Sequence, residues 1–243
     1  ATVGWPANAP GVRPGVTKCI LIMGSNPAEA HTALWLRMQD TMKAGSKLIV
    51  IDPRRTVPAQ KADIWLQPRP GTDCALLLSM IHVIIEEGLY DKEFVEKWCY
   101  GFNDLAERAG EYRPEKVEEI SWVPAEKIRE AARLYAGSKP AASYNHMGLE
   151  HLANHVEALQ ARFILPAITG NLDVRGGDVI RPSNPHIVPE LEMELNDALP
   201  EKQKRKALGG ERFPFISWAG YDLIGESVAK VWGKPFGGSH NCY

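Results

Sequence analysis

Two short apolar runs within the span 18–51 constrain this chain more than anything else in it. Lys18-Cys-Ile-Leu-Ile-Met23 is closed by Gly24, and Lys47-Leu-Ile-Val-Ile51 follows Gly45. Both are too short for a buried helix and are bounded by turn residues, so both read as buried strands. Between them Leu34, Leu36, Met38 and Met42 supply the apolar positions of a helix that stops at Gly45. Strand, helix, strand over that distance is a βαβ unit, which demands parallel strands and a right-handed crossover.

The pattern continues. A third apolar segment, Ala62-Asp-Ile-Trp-Leu66, ends at Pro68-Arg-Pro-Gly71. Thr72 and Asp73 suit helix caps, and an apolar helix from Cys74 to Glu87 is closed by Gly88. From Tyr90 to Leu134 the pattern is helical: Phe94, Val95 and Trp98 recur at helix spacing, and Pro124 opens a further helix. Ile128, Ala131, Ala132 and Tyr135 line one face of that helix before Gly137. Ala141 to Met147 reads as a fourth strand ending at Gly148, followed by a helix from Val156 to Ile168. The expected fold class is α/β, a predominantly parallel sheet with helices on both faces. Residues 1–17 are expected to be an irregular lead-in, 18–180 the α/β domain, and 181–243 an irregular extension or partial lobe.

Composition limits the function classes. The 243 residues suffice for one large core, and 44% hydrophobic with 24% charged residues is ordinary for a globular protein. A net charge of -2 gives no reason to expect nucleic acid or an anionic membrane as partner. The basic run Lys202, Lys204, Arg205, Lys206 is short, is flanked by acids and reads as a solvated face. No apolar run reaches the roughly 18 residues of a membrane span, so direct membrane insertion is not expected. Ala1 to Pro14 lacks a signal pattern and an initiator Met, which suits an internal piece of a longer chain; the compartment stays open. Cys19, Cys74, Cys99 and Cys242 are scattered without a Cys-x-x-Cys pair, so this segment alone is not expected to hold zinc or an iron–sulfur cluster. Cys19 and Cys74 read as buried free thiols.

Three turns carry the chemistry. In parallel α/β sheets, ligands sit outside the carboxyl ends of the strands. There the next helix offers free N–H groups and its positive dipole end to a phosphate. Gly24-Ser25-Asn26-Pro27 is such a turn: Gly24 allows close backbone approach to a ligand, Asn26 tolerates a left-handed conformation, and Glu29 lies in the first helical turn. A plain strand-to-helix turn would read the same. Asp52 ends the second strand, where an acid commonly binds ribose hydroxyls. Arg54 and Arg55 follow Pro53 and suit a diphosphate, or a surface salt bridge. Gly71-Thr72-Asp73 is the third turn, and the Asp73 carboxylate suits guanine's ring N–H and amino group. His151 and His155 stand four apart beside Glu150, but the metalloprotease order is absent and no third ligand is evident. His31, His82 and His146 read as ordinary surface, helix or strand residues.

The order Met23-Gly-Ser-Asn-Pro-Ala-Glu29, Ile51-Asp-Pro-Arg54, Arg69-Pro-Gly-Thr-Asp73, Glu86-Glu-Gly-Leu-Tyr-Asp91, then Thr169-Gly-Asn171 with Gly176-Gly177, resembles the molybdopterin oxidoreductases of the dimethyl sulfoxide reductase family. That family includes formate dehydrogenases, nitrate reductases and polysulfide reductases. Each motif is modest alone; in series over residues 18–180 they are specific. The resemblance implies a central three-layer αβα domain with a mostly parallel, Rossmann-like sheet. It would bind one of two molybdopterin guanine dinucleotides on a molybdenum or tungsten ion.

By that likeness Gly24, Ser25, Asn26, Pro27 and Glu29 would meet the phosphates and ribose. Ile51, Asp52, Pro53, Arg54 and Arg55 would meet the guanosine, and Gly71, Thr72 and Asp73 the guanine. Met147 and His151 follow the fourth strand, where the family places residues near the pterin and substrate funnel, which makes His151 a catalytic candidate. His151 departs from the usual glutamine there, and Asn154-His155 from an Asn-Gly step. The cysteines for a 4Fe–4S centre and the metal's own ligand would precede Ala1, and a second dinucleotide domain would follow Tyr243. No metal ligand is therefore assigned in this chain, which should not turn over substrate alone. Its expected partners are the rest of the parent chain and an iron–sulfur electron-transfer subunit, and the parent's expected reaction is two-electron redox or oxygen-atom transfer. A stand-alone nucleotide-binding or assembly module remains a rival. An NAD-dependent dehydrogenase is disfavoured, because the first turn lacks G-x-G-x-x-G.

Overall fold

The computed structural model describes residues 8–180, 198–204, 206, 212, 227, 229–231 and 233. The chain divides into two units, Ala1–Arg181 and Pro182–Tyr243. The first unit runs β1 (Asn8–Pro10), β2 (Cys19–Met23), α1 (Pro27–Ala30), α2 (Thr32–Lys43), β3 (Lys47–Ile51), α3 (Val57–Lys61), β4 (Ile64–Leu66) and α4 (Asp73–Glu86). It continues α5 (Lys92–Trp98), α6 (Phe102–Gly110), α7 (Pro114–Ser121), α8 (Ala125–Gly137), β5 (Ala141–Asn145), α9 (Met147–Glu150), α10 (His155–Ile168) and β6 (Asp178–Ile180). The described residues of the second unit include the helical turn α11 (Glu201–Lys204). The rest of the segment expected to be an irregular extension, Cys242 included, lies almost wholly outside the described residues, as do residues 1–7 of the lead-in.

Four strands pair in the order β4-β3-β2-β5, all parallel. Side chains alternate across a strand, and here both faces are apolar. Cys19, Leu21, Met23, Ile49 and Ile51 pack on one face with Leu76, Ile128 and Leu165 of α4, α8 and α10. Ile20, Ile22, Leu48 and Val50 pack on the other with Trp35 and Met38 of α2. Helices therefore cover both faces, giving three layers, and each fully buried Ile or Leu contributes about 1.5–3 kcal/mol.

Several sequence expectations change. The first helix is broken at His31, which ends α1 and precedes α2. Its buried face is Trp35, Met38 and Thr41, while Leu36 is 56% exposed. Leu36 sits one residue, about 100° of turn, beyond Trp35, and the larger indole takes the core-facing stripe. Cys74 is only half-buried, whereas Cys19 is buried as expected. Part of the lead-in expected to be irregular is ordered: β1 pairs antiparallel with β6, Asn8 opposite Ile180 and Pro10 opposite Asp178. Gly11 N–H donates to Gly177 O at 2.7 Å, and a Cβ on Gly11 would lie 2.5 Å from that oxygen, so two glycines permit the approach. A three-residue strand whose partner is so remote leaves no periodic trace.

A buried ion pair ties β6 to β5. Arg162 Nη2 donates to Ser143 O at 2.9 Å and lies 3.4 Å from Asp178 Oδ2. Asp178 Oδ1 accepts from Ser143 N–H at 2.7 Å, and Oδ2 accepts from the Ser143 hydroxyl. Arg162 is 2% and Asp178 0% exposed, while Arg162 Nε and Nη1 have no hydrogen-bond partner. Removing one member of such a pair strands a charge in the interior and costs about 3–5 kcal/mol. Asp178→Ala should lose that much in urea unfolding; a loss under about 1 kcal/mol would show that the pair does not hold β6 in place.

Candidate functional site

The register aligns the four strand ends. Met23 lies opposite Ile51 and opposite Asn145, and Ile51 lies opposite Leu66. At roughly 4.8 Å per strand, their carboxyl ends form one row, and the turns after them open on one rim. β5 lies on one side of β2 while β3 and β4 lie on the other, which makes the β2–β5 boundary the topological switch point where open α/β sheets bind ligands.

At the first turn, Gly24 (φ +52) has a structural task that the sequence did not show. A Cβ there would meet Leu149 N at 2.7 Å, one on Gly148 would meet Gly24 O at 2.6 Å, and Gly148 N–H donates to Gly24 O at 3.0 Å. The glycine lets the first and fourth rim turns touch backbone to backbone. Asn26 (φ -117) does not use a left-handed conformation. Its carbonyl instead accepts from Glu29 and Ala30 N–H, both at 3.0 Å, and starts α1 with Pro27 in the first turn. Because α1 is a single turn, its dipole is weak, and less phosphate attraction comes from it than the sequence suggested. Ser25 Oγ and Asn26 Oδ1 are buried without a hydrogen bond of normal geometry. Glu29 is exposed.

At the second turn Asp52 is 5% exposed, and its Oδ1 accepts from Arg54 N–H at 2.8 Å. Burial pushes its carboxyl up, against the Arg54 backbone and guanidinium. Trp65 Nε1 donates to Asp52 O at 2.8 Å and Gln67 Nε2 to Pro53 O at 2.9 Å, which braces the turn on the next strand. Arg54 and Arg55 are exposed, and among the described residues neither forms an ion pair.

At the third turn Gly71 (φ +90) has open space around it, so the backbone angle alone requires glycine. Thr72 and Asp73 are buried; Thr72 is the N-cap residue of α4 as expected, but its hydroxyl donates to Arg69 O at 2.7 Å instead of capping, and Asp73 is the first helical residue. Burial raises the Asp73 carboxyl to about 6, the Asp52 charge adds to the rise, and the Gly71 N–H opposes it. The Asp52 carboxylate is therefore near enough to act on Asp73.

The fourth turn carries Met147, 38% exposed, and the exposed His151, which closes α9. Beside it the structure gathers residues read from sequence as ordinary. The His31 and His146 rings stand edge to face at 4.7 Å, and the Tyr144 hydroxyl lies 3.1 Å from His31 Nδ1. Burial pushes the Tyr144 phenol up, while Ser25 pulls it down. His31 and Tyr144 are far apart in sequence, and no short-range signal joins them. Among the described residues no group of three or more His, Cys, Asp or Glu could hold a metal ion.

The family profile described as Molybdopterin oxidoreductase matches residues 15–208. The chain belongs to the molybdopterin oxidoreductase family. Its relatives are enzymes. Acetylene hydratase of Syntrophotalea acetylenica is 41% identical over 224 residues, 90% of this chain and 30% of that protein. The F420-dependent formate dehydrogenase subunit alpha of Methanocaldococcus jannaschii is 42% identical over 66% of this chain and 24% of its own length. Dimethyl sulfoxide reductase DmsA of Escherichia coli is 32% identical over 67% of this chain and 23% of its own. The solved structure of acetylene hydratase from Pelobacter acetylenicus superposes with a TM-score of 0.72 at 38% identity, covering 94% of this chain and 31% of that one. The chain thus spans about 30% or less of the length of these relatives. No helix among the described residues is long and apolar enough to cross a membrane.

Proposed function

We propose that this chain binds one molybdopterin guanine dinucleotide along the rim of its parallel sheet, as one half of the cofactor site of a longer molybdenum or tungsten enzyme. The observation that carries this reading is the shared row of strand ends, with two buried carboxylates, Asp52 and Asp73, close enough that the Asp52 charge raises the proton affinity of Asp73. The donor set fits the group. Asp73 accepts from the guanine ring N–H and amino group, Asp52 from ribose hydroxyls, and the Arg54 and Arg55 forks take the diphosphate. Ser25 Oγ and Asn26 Oδ1, buried and lacking normal hydrogen bonds, gain partners from the same ligand. Met147 and His151 face the pterin end, with His151 nearest the chemistry. When bound, the metal–pterin group supplies two-electron redox or oxygen-atom transfer, and this chain orients it. The rest of the parent protein, carrying the metal ligand and a 4Fe–4S centre, and an iron–sulfur electron-transfer subunit complete the assembly.

Calorimetric titration with GDP and ADP tests the guanine end. GDP should bind at least tenfold tighter than ADP, and Asp73→Ala should cost about 10–100-fold in GDP affinity, since hydrogen bonds to a charged group contribute about 1.5–3 kcal/mol. Equal affinity for the two nucleotides would sink the reading. A second reading, water addition in place of redox, is favoured by the longer match to acetylene hydratase than to the formate dehydrogenase. Assaying the longer protein for acetylene hydration against formate oxidation separates them.

A further inference from the structure

Three arginines meet in one cavity at the other end of the domain. Arg13, Arg37 and Arg175 line an open hollow of about 750 Å³ with Pro10, Val12 and Val179, and among the described residues no Asp or Glu lines it. Among the described residues none of the three guanidinium groups makes an ion pair or side-chain hydrogen bond. All three are exposed.

The backbone around them is braced. Arg13 N–H donates to Thr17 Oγ1 at 3.0 Å, and the same hydroxyl, buried, donates to Gly176 O at 2.8 Å. One threonine thereby clamps the turn bearing Arg13 to the loop bearing Arg175. Gly11 N–H donates to Gly177 O at 2.7 Å, a second tie between the same two segments. Val12, 2% exposed, packs with Trp35 and Met38 of α2 and so brings Arg13 up against the helix that carries Arg37. Three separate stretches of chain are held so that all three arginines line the same hollow.

The hollow is not part of the rim. Thr17 lies two residues before β2 and Pro140 immediately before β5, and Gly176 packs directly on both. The clamp therefore sits at the amino ends of these strands, a strand length or roughly 16 Å from the turns at Gly24 and Asp52.

We propose that this hollow is a second binding site, selective for a small multivalent oxyanion such as an organic polycarboxylate or a diphosphate. Planar guanidinium forks match carboxylate and phosphate oxygens two at a time. The volume lies in the usual small-ligand range of roughly 300–1,000 Å³, and Val12, Val179 and Pro10 offer apolar contact to a short carbon skeleton. The proposal does not depend on the rim holding a dinucleotide.

Calorimetric titration of the chain with citrate and with pyrophosphate tests it. Saturable one-to-one binding of at least one anion is expected, weakening at least fivefold at 0.5 M salt as screening requires. Combined Arg13→Gln, Arg37→Gln and Arg175→Gln should weaken it at least 30-fold without moving the thermal midpoint, because all three side chains are exposed. If the triple variant is less stable, Arg37→Gln alone should still weaken binding at least threefold. Lys97→Gln with Lys127→Gln, exposed on α5 and α8 away from the hollow, should leave citrate and pyrophosphate binding unchanged. Three results would overturn the proposal: no saturable binding of either anion; citrate binding that survives the arginine substitutions; or binding only of a Glu-rich hexapeptide, which would make the hollow a docking surface for an acidic protein segment.

Discussion

Asp73→Asn is expected to make the folded chain more stable at pH 7.5 while loosening its hold on GDP. Burial raises the Asp73 carboxyl from 3.8 to about 6 in the folded protein. Between those values the folded state binds more protons than the unfolded one, so stability falls as pH rises through the window, and the full cost is present above pH 6. That cost is at most about 3 kcal/mol. Asparagine keeps an oxygen for the Gly71 N–H but carries no charge to desolvate, so the variant should gain up to that amount at pH 7.5. It should also show a flatter stability profile between pH 4 and 6. Guanine binding should move the other way, because an amide cannot accept from both the ring N–H and the amino group. Urea unfolding at pH 4.5 and 7.5 together with GDP titration reads both effects. A variant no more stable than the parent at pH 7.5 would show that the buried carboxylate costs nothing. A residue that lowers stability where it stands marks a site kept for binding.

The second large effect belongs to Gly24. Alanine there must hold φ near +52, at about 1–2 kcal/mol, and its Cβ would lie 2.7 Å from Leu149 N and 2.8 Å from Gly148 C. Both neighbours are backbone, so no rotamer change relieves the overlap, and overpacking adds about 1–3 kcal/mol. The combined loss of about 2–5 kcal/mol should lower the calorimetric midpoint by roughly 5–15 °C. Gly71→Ala is the control: its φ is also positive, but nothing lies within 4 Å of the new methyl. Only the conformational cost of about 1–2 kcal/mol remains. Equal losses at the two glycines would mean that the contact between the first and fourth turns is unimportant.

How much of this was legible depends on how local each cause is. The runs ending at Met23, Ile51 and Leu66 are continuous, apolar and bounded by Gly or Pro, so their existence and order could be read directly. Parallel pairing then required the turns at Gly24, Asp52 and Gly71 to open on one side, and they do. What could not be read depends on remote partners. Trp35 rather than Leu36 faces the core because of residues on β2 and β3. β1 finds β6 across almost the whole first unit. Arg162 is a charged residue in an apolar helix, and its partners Asp178 and Ser143 lie 16 and 19 residues away in sequence. The structural task of Gly24 was hidden for the same reason, since the groups that exclude a methyl there belong to Gly148 and Leu149.

The pairing of β2 with two neighbours has a consequence in time. Cys19 lies opposite Lys47 on one flank and Ala141 on the other, so docking β5 closes a roughly fourfold longer loop, at an added entropic cost of about 1 kcal/mol. Contacts of that separation form late. The crevice is therefore walled first by contiguous chain and sealed last by its far edge, and a ligand that needs all four turns is gripped only after that final strand arrives.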